Sequence, residues 1–555
     1  MRHSVTAAFF AITVFAATLQ ADVKLPAIIG DHMVLQRDAR VPLWGWAEPA
    51  ETVTVTAGDA KATGAADADG KWTVSLNSLK ASDQPIDVTI AGKNTITLHD
   101  VLVGDVWVCS GQSNMEFQLG GGQFGFGGAH NADEEIPKSG HPTLRLFIVQ
   151  KKIAFTPEKD CRGEWMVSTP ETAPKFSAVG YFFGKEILEN QKVPVGLIGT
   201  YWGGTPAEAW TSLEGLKSAP ELAGAVNAVE KLKTNMPDAK KQYEEVTLPK
   251  WEKSHAAALA KWNEEVAAAK GAGQPEPAKP RALSARKPDS PDHNPNTPTV
   301  LTNGMIAPIV PFAIKGVIWY QGEANAGAAK LYETLFPTMI ADWRTRWGEG
   351  DFPFFWVQLA NYQTRYSVPT QTADGWPGLR DAQSKTLKLP NTGQAVIIDI
   401  GQAEDVHPKD KQDVGHRLAL AARHVAYGQD LVYSGPTFDS LKIDGDKAIV
   451  SFKNIGAGLT IAAAPSTQPS VPQAAPADAL QGFAVAGEDH HFVWATATIS
   501  GDTIIVSSPE VKEPKAVRYG WANNPEANLY NKDGLPASPF RTDDWTNPPG
   551  AKPRR

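Results

Sequence analysis

Five short and almost uninterrupted apolar runs constrain this chain most: Val101 to Cys109, Val195 to Thr200, Gly316 to Tyr320, Phe354 to Leu359 and Ala395 to Ile400. Strands that alternate apolar and polar residues cover a sheet with one wet face. Strands apolar throughout belong to a sheet buried on both sides. Segments long enough for crossover helices separate the first four pairs. One, Val179 to Leu188, leads into the second run, and another, Leu331 to Trp347, joins the third to the fourth. The pattern predicts a parallel α/β sheet covered by helices. In such sheets ligands bind beyond the carboxyl ends of the strands, so the residues following each run are where chemistry is expected.

The remaining sequence places this core between other regions. A chain of 555 residues is long enough for three or four domains. Its 42% hydrophobic and 21% charged residues exclude a wholly disordered chain and a polytopic membrane protein. A net charge of -8 gives no electrostatic footprint for a nucleic-acid partner. Two cysteines exclude a disulfide scaffold and a multi-cysteine metal site. Met1-Arg2-His3, the apolar stretch Val5 to Leu19 and the small residue Ala21 read as a signal peptide spanning residues 1–21. No membrane span is expected after its cleavage, and the mature chain is expected in the periplasm or outside the cell. There Cys109 and Cys161 would meet an oxidising environment, and a bridge between them stays open beside a buried free thiol at Cys109.

Residues 22–100 read as short strands of a β-sandwich-like domain, with Val41 to Trp46, Thr52 to Thr56 and a turn at Asp67-Ala68-Asp69-Gly70 before Trp72. Residues 101–430 form the α/β domain. It is interrupted at about 213–300 by an Ala/Lys/Glu-rich helical stretch and a proline-rich loop, read as an insertion without chemistry or alternatively as a lid or dimer contact. Residues 431–555 return to strands, around an Ala/Pro/Ser-rich segment from Ala462 to Ala479 expected to be flexible. The 17 tryptophans suit either a surface that stacks on sugar rings or well-filled cores.

Four strand ends carry polar groups. The first run leads into Ser110-Gly111-Gln112-Ser113-Asn114-Met115, placing a hydroxyl at a turn before an expected helix. A backbone N–H at that helix start favours an anion. Met115 departs from the Gly-x-Ser-x-Gly elbow. The second leads into Trp202-Gly203-Gly204-Thr205-Pro206, where paired glycines let backbone approach a ligand closely. The third leads into Gln321-Gly322-Glu323-Ala324-Asn325, whose amides can donate to an oxyanion or simply satisfy their own loop. The fifth leads into Glu404-Asp405-Val406-His407-Pro408. In an extended segment residues i and i+2 share a side, so Asp405 can support the His407 imidazole; Glu404 can do so if the loop turns. A metal reading of Asp405, His407, Asp413 and His416 lacks a ligand spacing of known type, and no metal site or cofactor is expected.

Taken together, Gly111-Gln112-Ser113-Asn114-Met115-Glu116, Trp202 to Pro206, Trp319 to Asn325 and Asp405-Val406-His407-Pro408 resemble the sialate O-acetylesterase family of SGNH hydrolases. Asn303 to Pro308, Arg518 to Ala522 and Gly534 to Thr542 extend the resemblance over most of the mature chain. It implies a three-layer parallel-sheet hydrolase with flanking β-sandwich-like domains and an O-acetylated carbohydrate substrate. It implies Ser113 as nucleophile and His407 as general base. Oxyanion donors would come from the Ser113 N–H, a Gly203 or Gly204 N–H, and a side chain at Gln321 or Asn325. The family's third block places its asparagine one residue earlier than Asn325. Its last block places the acid three before the histidine, at Glu404, while the residue spacing favours Asp405. Sialic acid and acetylated plant polysaccharides such as xylan or xyloglucan compete as substrates. A non-catalytic glycan-binding protein on the same core is the reading of another class.

Overall fold

The computed structural model describes residues 22–545 apart from 123–126, 281–282, 284–286, 366–367, 371–374 and 463–478. The expected signal peptide and nearly all of the Ala/Pro/Ser-rich segment therefore lie outside the described residues.

At the centre is a parallel sheet ordered Thr392–Ala395, Phe354–Val357, Gly316–Tyr320, Thr95–Gly111, Val195–Tyr201 and His141–Ile148, with Trp165–Ser168 antiparallel at the far edge. Both faces are buried, and the side chains divide between them with a period of two. On one face Val106, Val108, Val317, Trp319, Phe354 and Trp356 meet the helices Ala329–Trp347 and Trp376–Lys385. On the other face Trp107, Cys109, Ile318, Tyr320, Phe355 and Val357 meet Ala178–Gln191 and Lys411–Val425. Ser177 caps the first of these latter helices, accepting from the Gly180 N–H at 3.1 Å.

Three differences from the sequence reading have physical causes. The parallel sheet has a sixth strand, His141–Ile148, absent from the five expected. Arg145 breaks its apolar pattern, yet this side chain is buried because Asp100 receives it at 2.7 and 3.1 Å. The fifth strand is short, Thr392–Ala395, and lies before most of the expected run. Beyond it the apolar residues serve two cores. Ile397 and Ile400 face the helices of the second face, whereas Val396 and Ile398 enter the core of the C-terminal sheets. The first strand begins at Thr95 and runs to Gly111, so continuous strand crosses the boundary expected near residue 100. Its early residues pair with Val34–Gln36 and Ser82–Ala91, its later ones with the parallel core.

The N-terminal residues otherwise form antiparallel ladders, Val41–Trp46 with Lys71–Leu76 and Thr52–Ala57 with Ala60–Ala65. After residue 431 come two four-stranded antiparallel arrangements, one built around Lys447–Lys453 and Thr503–Ser507, the other around Phe483–Ala486 and Ala516–Tyr519. The insertion is helical over Ala223–Gln242 and Leu248–Gly271, with Val229 the one buried residue in those two helices. Its proline-rich part lies against them, since Tyr243 and Trp262 donate to the carbonyls of Pro288 and Pro277 at 2.9 and 3.3 Å. Trp44, Trp72, Trp107, Trp210, Trp319, Trp343 and Trp356 are fully buried, so much of the tryptophan content fills cores. Cys109 is buried, Cys161 is partly buried, and both are free thiols. Among the described residues no helix is long and apolar enough to cross a membrane.

Candidate active site

The central strand ends abruptly. Gly111 sits at φ +137°, and a Cβ there would fall 2.2 Å from the Tyr320 carbonyl oxygen of the neighbouring strand. Only glycine fits so close a backbone approach in that conformation. The chain then turns, with the Gln112 N–H donating to Tyr320 O at 3.0 Å, and Ser113 opens the helical turn Ser113–Glu116. That helix is four residues long, so the expected anion-favouring helix start amounts to a single turn.

Ser113 Oγ lies 2.9 Å from His407 Nε2. On the other side of the ring, His407 Nδ1 is 3.2 Å from Asp405 Oδ1, which also accepts the His407 backbone N–H at 2.9 Å. That double engagement is what the i, i+2 spacing anticipates. Glu404 is exposed, and the carboxylate on the imidazole is Asp405. Burial holds the His407 imidazole below its ordinary value; the Lys411 ammonium pushes the same way and Asp405 opposes them. A neutral imidazole beside a serine hydroxyl, with its other nitrogen on a carboxylate, can take the hydroxyl proton as the oxygen attacks a carbonyl.

The other predicted residues gather at the same rim in different roles. The Gly203 N–H donates to Glu116 Oε2 at 2.6 Å, and this buried carboxylate is ion-paired with Lys151. That N–H is thus committed, while Gly204, at φ +76°, has open space around its α-carbon. Gln321 and Asn325 are both buried, and their amides are bonded within the protein. Gln321 Nε2 donates to Asn325 Oδ1 at 2.7 Å and to Thr205 O at 3.2 Å, and its Oε1 accepts from the Tyr332 hydroxyl at 2.8 Å. Asn325 Nδ2 donates to Glu208 Oε2 and its Oδ1 accepts the Ala207 N–H, both at 2.9 Å. These bonds pin the loop after the third strand to the turn after the second. They fit the alternative in which the amides satisfy the protein's own loops, while Asn325 Nδ2, with two N–H groups and one acceptor, retains a second donor. The residues of the metal reading take separate partners: His416 meets Glu186 at 2.7 Å, and Asp413 lies 3.8 Å from Arg417.

A family model described as carbohydrate esterase, sialic acid-specific acetylesterase, matches residues 103–236 and 302–424, leaving out most of the insertion. Sialate O-acetylesterase of Pongo abelii is 30% identical over 469 residues, spanning 77% of this chain and 76% of that protein. The chain belongs to the sialic acid-specific acetylesterase family of carbohydrate esterases. Sialate O-acetylesterase of Mus musculus matches this esterase at 28% identity over 566 residues, 93% of this chain and 94% of the other. A carbohydrate acetylesterase from Xanthomonas citri is 39% identical, covers 94% of this chain and 100% of its own, and superposes with a TM-score of 0.74. Membership of a family of esterases sets aside the non-catalytic glycan-binding reading.

The cluster around Ser113 and His407 contains residues to which the sequence analysis gave no role. Asn114, Glu116 and Lys411 stand beside the serine or histidine loops, all three buried. Lys411 had a signal: at the start of its helix it shares a face with Val414, Gly415 and Leu418, all buried. A lysine on the apolar stripe of a helix must find a partner inside the protein.

Proposed function

We propose that this esterase removes O-acetyl groups from sialic acid by a covalent serine mechanism, on an SGNH-type three-layer core flanked by β-sandwich-like domains. The observation carrying the proposal is the hydrogen-bonded series Ser113 Oγ, His407, Asp405, with distances of 2.9 and 3.2 Å. His407 Nε2 accepts the Ser113 proton while Oγ bonds to the acetyl carbonyl carbon. The resulting oxyanion is met by the Ser113 N–H and the Gly204 N–H. The tetrahedral intermediate then collapses: the bond between the acetyl carbon and the sugar oxygen breaks, the protonated imidazole gives its proton to that oxygen, and the acetyl group stays on Ser113. Water, activated by the same imidazole, releases acetate from Ser113 and restores the serine. Each bond change is served by these groups, so the mechanism needs no metal or organic cofactor. Asp405 orients the ring and stabilises its charged form. The leader-like residues 1–21 support export to the periplasm or outside the cell, where acetylated glycans are met.

A second reading is favoured by the bacterial relative, whose name specifies a carbohydrate acetylesterase and no sialic acid, at higher identity than the mammalian proteins. On that reading the substrate is an acetylated plant polysaccharide such as xylan or xyloglucan. Acetate release from a matched panel of O-acetylated sialosides and acetylated plant oligosaccharides decides between them. A kcat/KM at least tenfold higher on sialosides is expected, and the reverse order overturns the sialic acid assignment.

A further inference from the structure

Behind the serine and histidine lies a buried polar cluster that the mechanism does not use. Asn114 Nδ2 donates to the Val406 carbonyl at 3.0 Å and to Glu323 Oε1 at 2.5 Å. Its Oδ1 accepts from Lys411 Nζ at 2.5 Å. Asn114 follows Ser113 in the chain and Val406 precedes His407, so this one amide ties together the loops that carry the reacting pair. An asparagine amide can face either way, and its neighbours must choose. The Lys411 ammonium only donates, while the Val406 carbonyl and Glu323 Oε1 accept from Asn114. With the cation present, Oδ1 must face Lys411 and Nδ2 must face the histidine loop. Flipped, the amide would set oxygen against the Val406 carbonyl and NH₂ against an ammonium. Lys411 is fully buried, with its Nζ 4.9 Å from the Phe117 ring centre and 5.1 Å from that of Tyr320. The two rings give the cation faces to rest on and confine it to this place.

We propose that Lys411 and Asn114 are positioning residues for ester hydrolysis: the lysine fixes the asparagine amide, and the amide holds the serine turn against the histidine loop. The proposal rests on the Ser113–His407 reading of the site. The cation also has an electrostatic consequence. The charged groups facing the His407 ring are Asp405, from its own loop, and Lys411, from the following helix; Glu323 and Asp410 act on Lys411 in turn. Burial brings Lys411 down to about 7, while His407 titrates below its ordinary value. As an ammonium, Lys411 favours the neutral His407 ring.

The test is steady-state hydrolysis of p-nitrophenyl acetate across pH by the full chain, its Lys411→Met, Asn114→Ala and doubly substituted forms, and Ser113→Ala. Thermal unfolding checks that each is folded. Methionine has nearly the length of lysine without its charge, and exchanging a buried ion for such a side chain is often tolerated. Misplacing a reacting pair by about 1 Å can cost on the order of a hundredfold. Each single substitution is therefore expected to lower kcat by roughly that factor with KM little changed. Because Lys411 acts on the serine turn through Asn114, the double variant should lose no more kcat than the larger single loss when compared on the pH plateau, above the displaced acid limb. Lys411→Met should also move the acid limb of kcat/KM to higher pH, whereas Asn114→Ala, which keeps the cation, should not. A mere packing defect gives no such displacement. Losses that multiply in the double variant, or single variants within twofold of the parent, overturn the proposal while an inactive Ser113→Ala leaves the site reading standing. An active Ser113→Ala overturns the site reading itself. Should Lys411→Met not fold, Asn114→Ala decides by its kcat alone: a loss of about a hundredfold supports the clamp and an unchanged kcat overturns it.

Discussion

The turns at Gln112–Glu116 and Gln321–Asn325 leave neighbouring parallel strands at the same end of the sheet, and both carry amides and a carboxylate. They are put to different use. In the first, Ser113 is half-buried and its hydroxyl meets a histidine from a distant loop. In the second, Gln321 and Asn325 are buried and bonded to each other and to the turn after the second strand. Residue type and place in the chain do not separate the two uses; the partner that each polar atom finds does. A single N–H already paired inside the protein, as that of Gly203 is with Glu116, would have to lose that bond before serving an oxyanion.

The contrast can be broken at several points. Substitutions at the serine should abolish chemistry and leave the fold. Ser113→Ala is expected to cost on the order of a million-fold in kcat with an unchanged melting temperature. Asp405→Asn should lower kcat by roughly 10⁴, as expected when the support of a triad histidine takes the wrong tautomer. Glu404→Gln, in contrast, should leave kcat within about threefold of the parent, well short of the loss expected at a triad acid. A reversal of these two effects would transfer the role to Glu404 and restore the family's usual spacing.

At the second turn the loss should be in stability first. Asn325→Leu leaves the buried Ala207 N–H unpaired, at about 1–3 kcal/mol for such a group, and also removes an acceptor of Gln321 Nε2 and the partner of the half-buried Glu208 carboxylate. The melting temperature should fall by several degrees while kcat, measured well below it, drops less than tenfold. A loss of kcat as large as that of Asp405→Asn, in a protein of unchanged stability, would make Asn325 an oxyanion donor after all.

A pH profile sharpens the account of the first turn. Only neutral imidazole can take the serine proton, so kcat/KM should fall as pH drops through the His407 value. Burial and Lys411 hold that value below the ordinary one, so the acid limb should lie below the pKa of an exposed histidine. A limb above it would mean that Asp405 outweighs both.

These differences also mark what the sequence could disclose. Runs such as Gly316 to Tyr320 were legible because a strand buried on both faces must be apolar throughout. The His141–Ile148 strand was hidden by Arg145, whose burial depends on Asp100, a partner 45 residues away. The short fifth strand was hidden differently, since apolar residues from 396 to 400 divide between two cores, and periodicity does not say which core a side chain enters. Ser113 and His407 were legible as nucleophile and base through the resemblance of four strand-end motifs to a known family, since a serine after a glycine is by itself an ordinary turn residue. Asp405 was legible from its i, i+2 spacing to His407. The engagement of Gly203 by Glu116, and of Gln321 by Asn325 and Thr205, depends on which rotamer meets which partner across the sheet. No local pattern encodes that.

The central claim is that the Ser113 hydroxyl, activated by His407, is the atom that receives the acetyl group. Treating the intact esterase with a fluorophosphonate and mapping the adduct by peptide mass spectrometry tests it directly. One phosphonyl group per chain is expected, on Ser113, with activity lost in proportion and labelling slowed strongly in His407→Ala. Complete inactivation with the adduct on another residue, or with Ser113 unmodified, would contradict it.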